Sequence, residues 1–385
     1  MVSQRKCTCT IRPAHTIKLM DLSDQDKLRL NVLLSQDLQA IRIDESRMEL
    51  HALSDKGEAK VNLHANCKDE KYLKIVRQWL STQVLGSPGG YPIFLRRWTR
   101  MGQARDNSLE KLLLLGESEA VVAVVHASGL TNEIARRAWW CSPNSENARC
   151  LLESEQVAKG TMGPELASFL VEFLPFEETS KAMMNSVRLV LQPNLIDEQT
   201  KLDIWKRGKR RNTFYVGFIK QIPDALPIEC KPHKDFETFN SIDETNVLAN
   251  KLACLMSPQG QATLQTINTI ISKPNDQDVA VEIFNSIGEY CYFNSQDKYR
   301  WRDTNELEHH LPILHKHYQN EIDALLCVSS DAKSYIYAVL YLSMINESLL
   351  DPVFGVTDAI GSVMRKRIAH LTDPILKQLK ALQQA

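Results

Sequence analysis

Helix start and stop signals crowd the middle of this chain more densely than any other pattern, and they restrict it to short helices joined by tight turns. From Leu85 to Trp140 the sequence reads LGSPGGYPIFLRRWTRMGQARDNSLEKLLLLGESEAVVAVVHASGLTNEIARRAWW. Asn107, with Glu110 three residues on, has the form of a capping box ahead of Leu109 to Leu115, and Gly116 stands where a helix C-terminal glycine would. Ser118 opens the next helix and Gly129 closes it. Thr131 caps another, holding Ile134, Ala135, Ala138 and Trp139, which stops at Ser142-Pro143. Gly163-Pro164 begins a further helix over Leu166, Phe169, Leu170 and Phe173, ended by Pro175; Met183 to Leu191 follows, ended by Pro193. Short helices on tight connections pack antiparallel on their neighbours, because no connection lets them reach elsewhere. The layout is that of an α-helical solenoid-like or irregular helical array, and spacing alone does not choose between the two.

Upstream the period changes. Ser23 precedes the run Lys27 to Leu34, a capped amphipathic helix. Ala40, Ile41 and Ile43, then Met48, Leu50 and Ala52, then Ala59, Val61 and Leu63 alternate with polar residues, with turn chemistry at Asp44-Glu45-Ser46 and Ser54-Asp55-Lys56-Gly57. That pattern predicts a short antiparallel sheet. A helix from Asp69 to Leu80 presents Tyr72, Ile75, Val76 and Trp79 on one face. The expected fold is therefore mainly α: a small N-terminal α+β module over residues 20–105, a helical array over 106–222, a linker at 223–235 carrying Pro223, Pro227 and Pro232, and a C-terminal helical domain over 236–385. Residues 1–19 lack periodicity and read as a disordered extension or a mis-assigned start, with Met20 as the initiator.

Composition excludes several classes. The 46 Lys+Arg and 47 Asp+Glu leave a formal charge of -1, so no global field draws the chain to nucleic acid or anionic lipid. Apolar runs such as Leu112 to Leu115 and Ala120 to Val125 fall far short of the roughly 20 residues a bilayer requires. Arg5, Lys6, Arg12, His15 and Lys18 break up what would be a signal-peptide core. Nine cysteines in no regular spacing fit thiols kept reduced, which places the protein in the cytoplasm.

Candidate chemistry is sparse. Glu306, Glu308, His309, His310, His315 and His317 form the densest ligand-type cluster, but Pro312 is expected to break the helix between the two His pairs, and His315 and His317 diverge by roughly 200° on a helix. A polar helix face is the expectation, with no metal and no cofactor. Cys7 and Cys9 are the one close thiol pair; Cys141, at a helix C-terminus, is a poor nucleophile by position, and Cys141, Cys150, Cys254, Cys291 and Cys327 read as buried small hydrophobes. The glycine-rich bend at 86–90 lacks the spacing of a phosphate loop, and no nucleophile elbow, Walker, Rossmann, zincin or deaminase pattern occurs. Lys206, Arg207, Lys209, Arg210 and Arg211 form the strongest basic run. Beside it stand Trp205, Phe214 and Tyr215, so the patch could neutralise phosphates and stack bases, or equally close a helix dipole. Arg96, Arg97, Arg100 and Arg105, and the run Arg365-Lys366-Arg367, are two further basic groups whose convergence spacing cannot show.

The segments MDLSDQDKLRLNVLL (20–34), AIRIDES (40–46), VLGSPGGYPIFLRRWTRMGQ (84–103), LLLLGESEAVVAVV (112–125), EIARRAWW (133–140), MGPELASFLVEFLPFE (162–177), VRLVLQPNLID (187–197) and DAIGSVMRKRI (358–368) resemble the sulfur reduction protein DsrS family of sulfur-oxidising proteobacteria. The resemblance runs from about Met20 to the C-terminus and carries no catalytic or metal residue with it. It implies a cytoplasmic, non-enzymatic accessory or regulatory protein of dissimilatory sulfur oxidation, working through proteins of that pathway. An RNA-binding regulator using the 206–211 patch and a thiol-based sulfur handler are the two alternatives.

Overall fold

The computed structural model describes residues 22–86, 107–243, 245–293, 300–301, 303–329 and 331–383. The expected extension at 1–19, Cys7 and Cys9, most of the glycine-rich bend and the group Arg96, Arg97, Arg100 and Arg105 lie outside those residues. The chain divides into two compact units, Met1–Asn147 and Ala148–Ala385.

In the first unit, α1 (Asp24–Leu34) is capped by Ser23, whose hydroxyl accepts the amide of Asp26. Its inward face is Asp26, Leu30 and Leu33, while Leu28 and Val32 point to solvent, so the apolar pattern is broader than the buried stripe. β1 (Leu38–Asp44), β2 (Glu49–Ser54) and β3 (Gly57–Asn62) form the expected antiparallel sheet in the order β1-β2-β3. Leu50 and Ala52 alternate into the core as their spacing requires. α2 (Asp69–Leu85) runs one turn further than expected, to Gly86 at φ 63°, and buries Tyr72, Leu73, Val76 and Leu80. The outer edge of β1 is covered: Ile41 N–H donates to Leu113 O at 2.8 Å, and the Cys141 thiol donates to Ile41 O at 3.6 Å. These partners come from the ends of α3 (Asn107–Leu112) and α5 (Asn132–Cys141), with α4 (Ser118–Val125) between them. Gly116 adopts φ 63°, a left-handed turn that calls for glycine, and a Cβ there would also push the tip of Ile43, 2.8 Å away, aside.

The division between units falls inside α6 (Ser145–Leu152). The second unit continues with α7 (Glu155–Ala158), α8 (Met162–Phe173), α9 (Ser180–Val190), α10 (Glu198–Arg207) and α11 (Thr213–Gln221). After them come α12 (Phe236–Asn240), α13 (Val247–Met256), α14 (Pro258–Ser272), α15 (Gln277–Cys291), α16 (Thr304–His317), α17 (Gln319–Val328), α18 (Ala332–Ser343), α19 (Asp351–Phe354) and α20 (Gly361–Leu382). Distant helices close its core: α15 packs on α9, α11 and α18, and α20 packs on α14 and α18. A stack in which each repeat meets only its neighbours makes no such pairings, so this is the irregular array.

Residues 223–235, expected as a linker between domains, lie inside this unit. They run as a strap over its helices. Thr263 Oγ1 donates to Pro223 O, the Tyr290 hydroxyl to Asp224 at 2.8 Å, His233 N–H to Met256 O at 2.9 Å, and the Tyr335 hydroxyl to Asp235 at 2.8 Å. Prolines mark irregular backbone, which a linker and a packed strap share; only the long-range bonds separate them.

Candidate functional site

The most site-like feature of the second unit is an apolar groove of about 600 Å³ between α16, α17 and α18. Leu311, Ile322, Ile336 and Leu340 are its buried floor. The side chains of Leu326 and Tyr337, exposed at 38% and 44%, leave that floor open to an incoming apolar face. His315, Lys316 and Lys333 stand on the rim, and none of them makes an ion pair among the described residues. Along α18 the wall runs from Lys333 through Ile336 and Tyr337 to Leu340, which at a rise of ~1.5 Å per residue spans about two helical turns. The Tyr337 ring stacks on Tyr341 at 6.3 Å. The hydroxyl of Tyr341 is buried with no partner among the described residues, and burial pushes its pKa up to about 12.

The imidazole cluster expected on a helix broken at Pro312 sits instead on one continuous helix, α16. The carbonyl that Pro312 leaves without a helical donor belongs to Glu308, which is exposed, and Leu307, Leu311 and Leu314 anchor the opposite face. The four rings diverge. His309 Nδ1 lies 2.7 Å from Asn305 O, His310 packs 5.1 Å from the Trp301 ring, His317 meets Tyr318 at 4.8 Å, and His315 lines the groove. No group of three His, Cys, Asp or Glu residues able to hold a metal occurs among the described residues.

The basic run closes α10. Lys206, Arg207, Lys209 and Arg210 are exposed and Arg211 is half-buried, and Lys206 is neutralised by Asp203 at 2.8 Å. The flanking aromatics are not available to stack bases: Trp205, Phe214 and Tyr215 are buried, with the Trp205 ring 4.4 Å from Tyr215 and 4.9 Å from Phe218. Segments beside two of the basic runs meet at one loop. Asn212 Nδ2, next to Arg211, donates to Lys273 O at 2.7 Å, and Arg365 Nη1 donates to the adjacent Pro274 O at 3.2 Å. Sequence spacing carried no sign of this, because the meeting point is a loop between α14 and α15.

The thiols are scattered. Burial pushes Cys141 and Cys291 up to about 12 and raises Cys230 and Cys254, so these four stay protonated and weakly nucleophilic near neutral pH. For Cys141 the dominant cause is burial rather than the helix end. Of the five cysteines expected in the core, Cys291 is buried, Cys141, Cys150 and Cys254 are half-buried, and Cys327 is exposed.

One polar constellation was not foreseen. Asp26 is fully buried in the first unit, where its carboxylate accepts the Tyr72 hydroxyl at 2.6 Å and His64 N–H at 2.7 Å; His64 Nδ1 lies 3.2 Å away. Burial alone would raise the Asp26 pKa, but the bonds from Tyr72, His64 and Ser23 together hold it below the usual value. The signal was present in the chain: Asp26 lies four and seven residues before Leu30 and Leu33, a charge on the inward stripe of α1. With every bond accounted for, the network ties α1 to α2.

Among the described residues no helix is long and apolar enough to cross a membrane. No protein-family model matches this chain, and neither does any curated protein or solved structure.

Proposed function

We propose that this chain is a non-enzymatic accessory or regulatory protein that docks an acidic amphipathic helix of a partner in the α16–α18 groove, and that it serves dissimilatory sulfur oxidation in the cytoplasm. The groove carries the docking half of this reading. An apolar floor about two turns long suits side chains at i, i+4 and i+7 of a docked helix, and a rim carrying Lys316 and Lys333 favours acidic flanks on it. The sulfur assignment is supported only by the resemblance of the segments quoted above.

The two halves are tested separately. A fluorescent acidic peptide with leucines at helical spacing is titrated into the full chain. Tight binding that weakens at least tenfold with Lys316→Glu/Lys333→Glu, and with Leu326→Asp, is expected. Equal binding by wild type and both variants, or none by any, removes the groove as the docking site. Affinity purification from sulfur-grown cells is expected to recover sulfur-pathway proteins, and their absence would remove the pathway assignment while leaving the groove intact.

A second reading rests on Asn212, the residue after Arg211, and Arg365 both bonding to the Lys273–Pro274 corner, which would let an RNA backbone meet cations from three parts of the chain. RNA binding there should fall steeply with salt and survive Leu326→Asp, whereas helix docking should be lost with Leu326→Asp and keep its apolar part at high salt. A thiol-based sulfur handler has the least support, since burial holds four of the cysteines in the protonated state.

A further inference from the structure

Among the described residues, one side of the first unit's sheet is open: β3 pairs only with β2, while the far edge of β1 is occupied by Leu113 and Cys141. A groove of about 760 Å³ follows the open edge, with Ala59, Val61 and Asn62 as one wall and Leu28 and Val32 of α1 as the other. Leu28 and Val32 are 66% and 57% exposed, two large apolar side chains one helical turn apart beside unpaired backbone.

The direction in which β3 presents its free hydrogen-bonding groups follows from its register. Leu63 N–H donates to Met48 O at 2.8 Å, continuing the β2–β3 pairing Glu49↔Asn62 and Leu50↔Val61. Antiparallel pairing alternates, so the odd positions Gly57, Ala59 and Val61 bond to β2 and the even positions Glu58, Lys60 and Asn62 turn their N–H and C=O groups outward. Arg29 Nη1 reaches Asn62 O at 3.5 Å, in agreement. Side chains alternate as well: Ala59 and Val61 are half-buried on the core face, while Glu58 and Lys60 are exposed on the other.

We propose that β3 is a self-pairing edge, and that two copies of the chain join their β3 strands antiparallel about a two-fold axis at Ala59. The outward parity of 58 and 60 admits this register, which places Glu58 of each copy opposite Lys60 of the other in hydrogen-bonded pairs and makes four backbone bonds across the axis. The alternative centred on Lys60 would set Lys60 against Lys60. A lysine in the middle of an edge strand ordinarily discourages pairing; opposite a glutamate it selects the register instead. Glu58 already accepts the Trp140 Nε1–H at 2.6 Å and Lys60 pairs with Glu49 at 2.5 Å, so both side chains are held over the same face of the sheet before a second copy arrives. On the core face the second β3 strand enters the groove and covers Leu28 and Val32. This interface is independent of the helix-docking groove in the other unit.

Sedimentation equilibrium of the full chain tests it, with the mass of two 43.8 kDa chains expected at micromolar concentration. Lys60→Glu faces Glu58 with a like charge and should weaken dimerisation about tenfold or more, and Glu58→Lys/Lys60→Glu should restore it. Lys60→Pro removes an outward N–H while leaving the β2 ladder whole, and should yield monomer with an unchanged circular-dichroism spectrum. Should the strand variants misfold, Leu28→Asp/Val32→Asp, at exposed positions, carries the same expectation. A wild-type monomer, including one that takes up an extended peptide of another protein, overturns the proposal. A dimer that persists in Lys60→Pro and in Leu28→Asp/Val32→Asp does so too.

Discussion

Tyr72→Phe isolates what the buried Asp26 carboxylate contributes to the first unit. Tyr72 is fully buried, and phenylalanine keeps its ring, so the substitution opens no cavity and removes only the hydroxyl. That hydroxyl donates to the carboxylate at 2.6 Å and accepts Ser23 N–H at 3.3 Å. A hydrogen bond to a charged group contributes about 1.5–3 kcal/mol, and Ser23, which is half-buried, recovers part of its loss from water. The expected destabilisation is about 2 kcal/mol, or a fall in Tm of about 4–8 °C for a unit near 150 residues. Urea denaturation followed by circular dichroism measures the free energy, and hydrogen exchange of the α1 and α2 amides assigns it to this unit.

The effect should also depend on pH. The folded Asp26 pKa lies below its unfolded value, so its contribution is complete above the unfolded pKa, near 3.8, and is lost as pH falls through the lower folded pKa. Losing the tyrosine bond raises the folded pKa toward the unfolded one, so the wild-type advantage should be greatest near neutrality and shrink in acid. A loss under about 0.5 kcal/mol at neutral pH, or one that grows as the carboxylate is protonated, would refute the assignment of Asp26 as an ionised, hydrogen-bonded tie.

Gly288→Ala should destabilise the second unit by at least about 2 kcal/mol, because its Cβ would lie 1.9 Å from Ile345 O, a backbone atom that cannot rotate away; thermal denaturation measures it. Alkylation of the native protein with a mass readout should label the exposed Cys327 well before Cys141 and Cys291, whose burial keeps them protonated; equal labelling of the three would contradict the packing around β1 and α15.

Ser23, Thr131 and Gly116 were legible because a cap acts within three or four residues of itself. The three strands were legible for a similar reason, since alternation is a local response to one buried face. The buried face of α2 was read less well: Ile75 and Trp79 are only partly buried, and Leu73 and Leu80 take their place. The neighbours that decide this lie on α1 and the sheet. The basic run 206–211 was legible as charge, but its aromatic neighbours could not be told from a stacking platform, because a hydrophobic ring beside a helix end reads the same whether it faces the core or the solvent.

The sequence by itself determined the three strands and several helix caps, that the chain is mainly α, and that its charges balance, because each depends on residues within a turn or two or on a sum over the whole chain. Tertiary structure alone decided that 223–235 is a packed strap, that α16 passes through Pro312, that Asn212 and Arg365 bond to one loop, and that β3 keeps an open edge among the described residues. Each of those is set by contacts between segments tens of residues apart, which exist only once the core has closed.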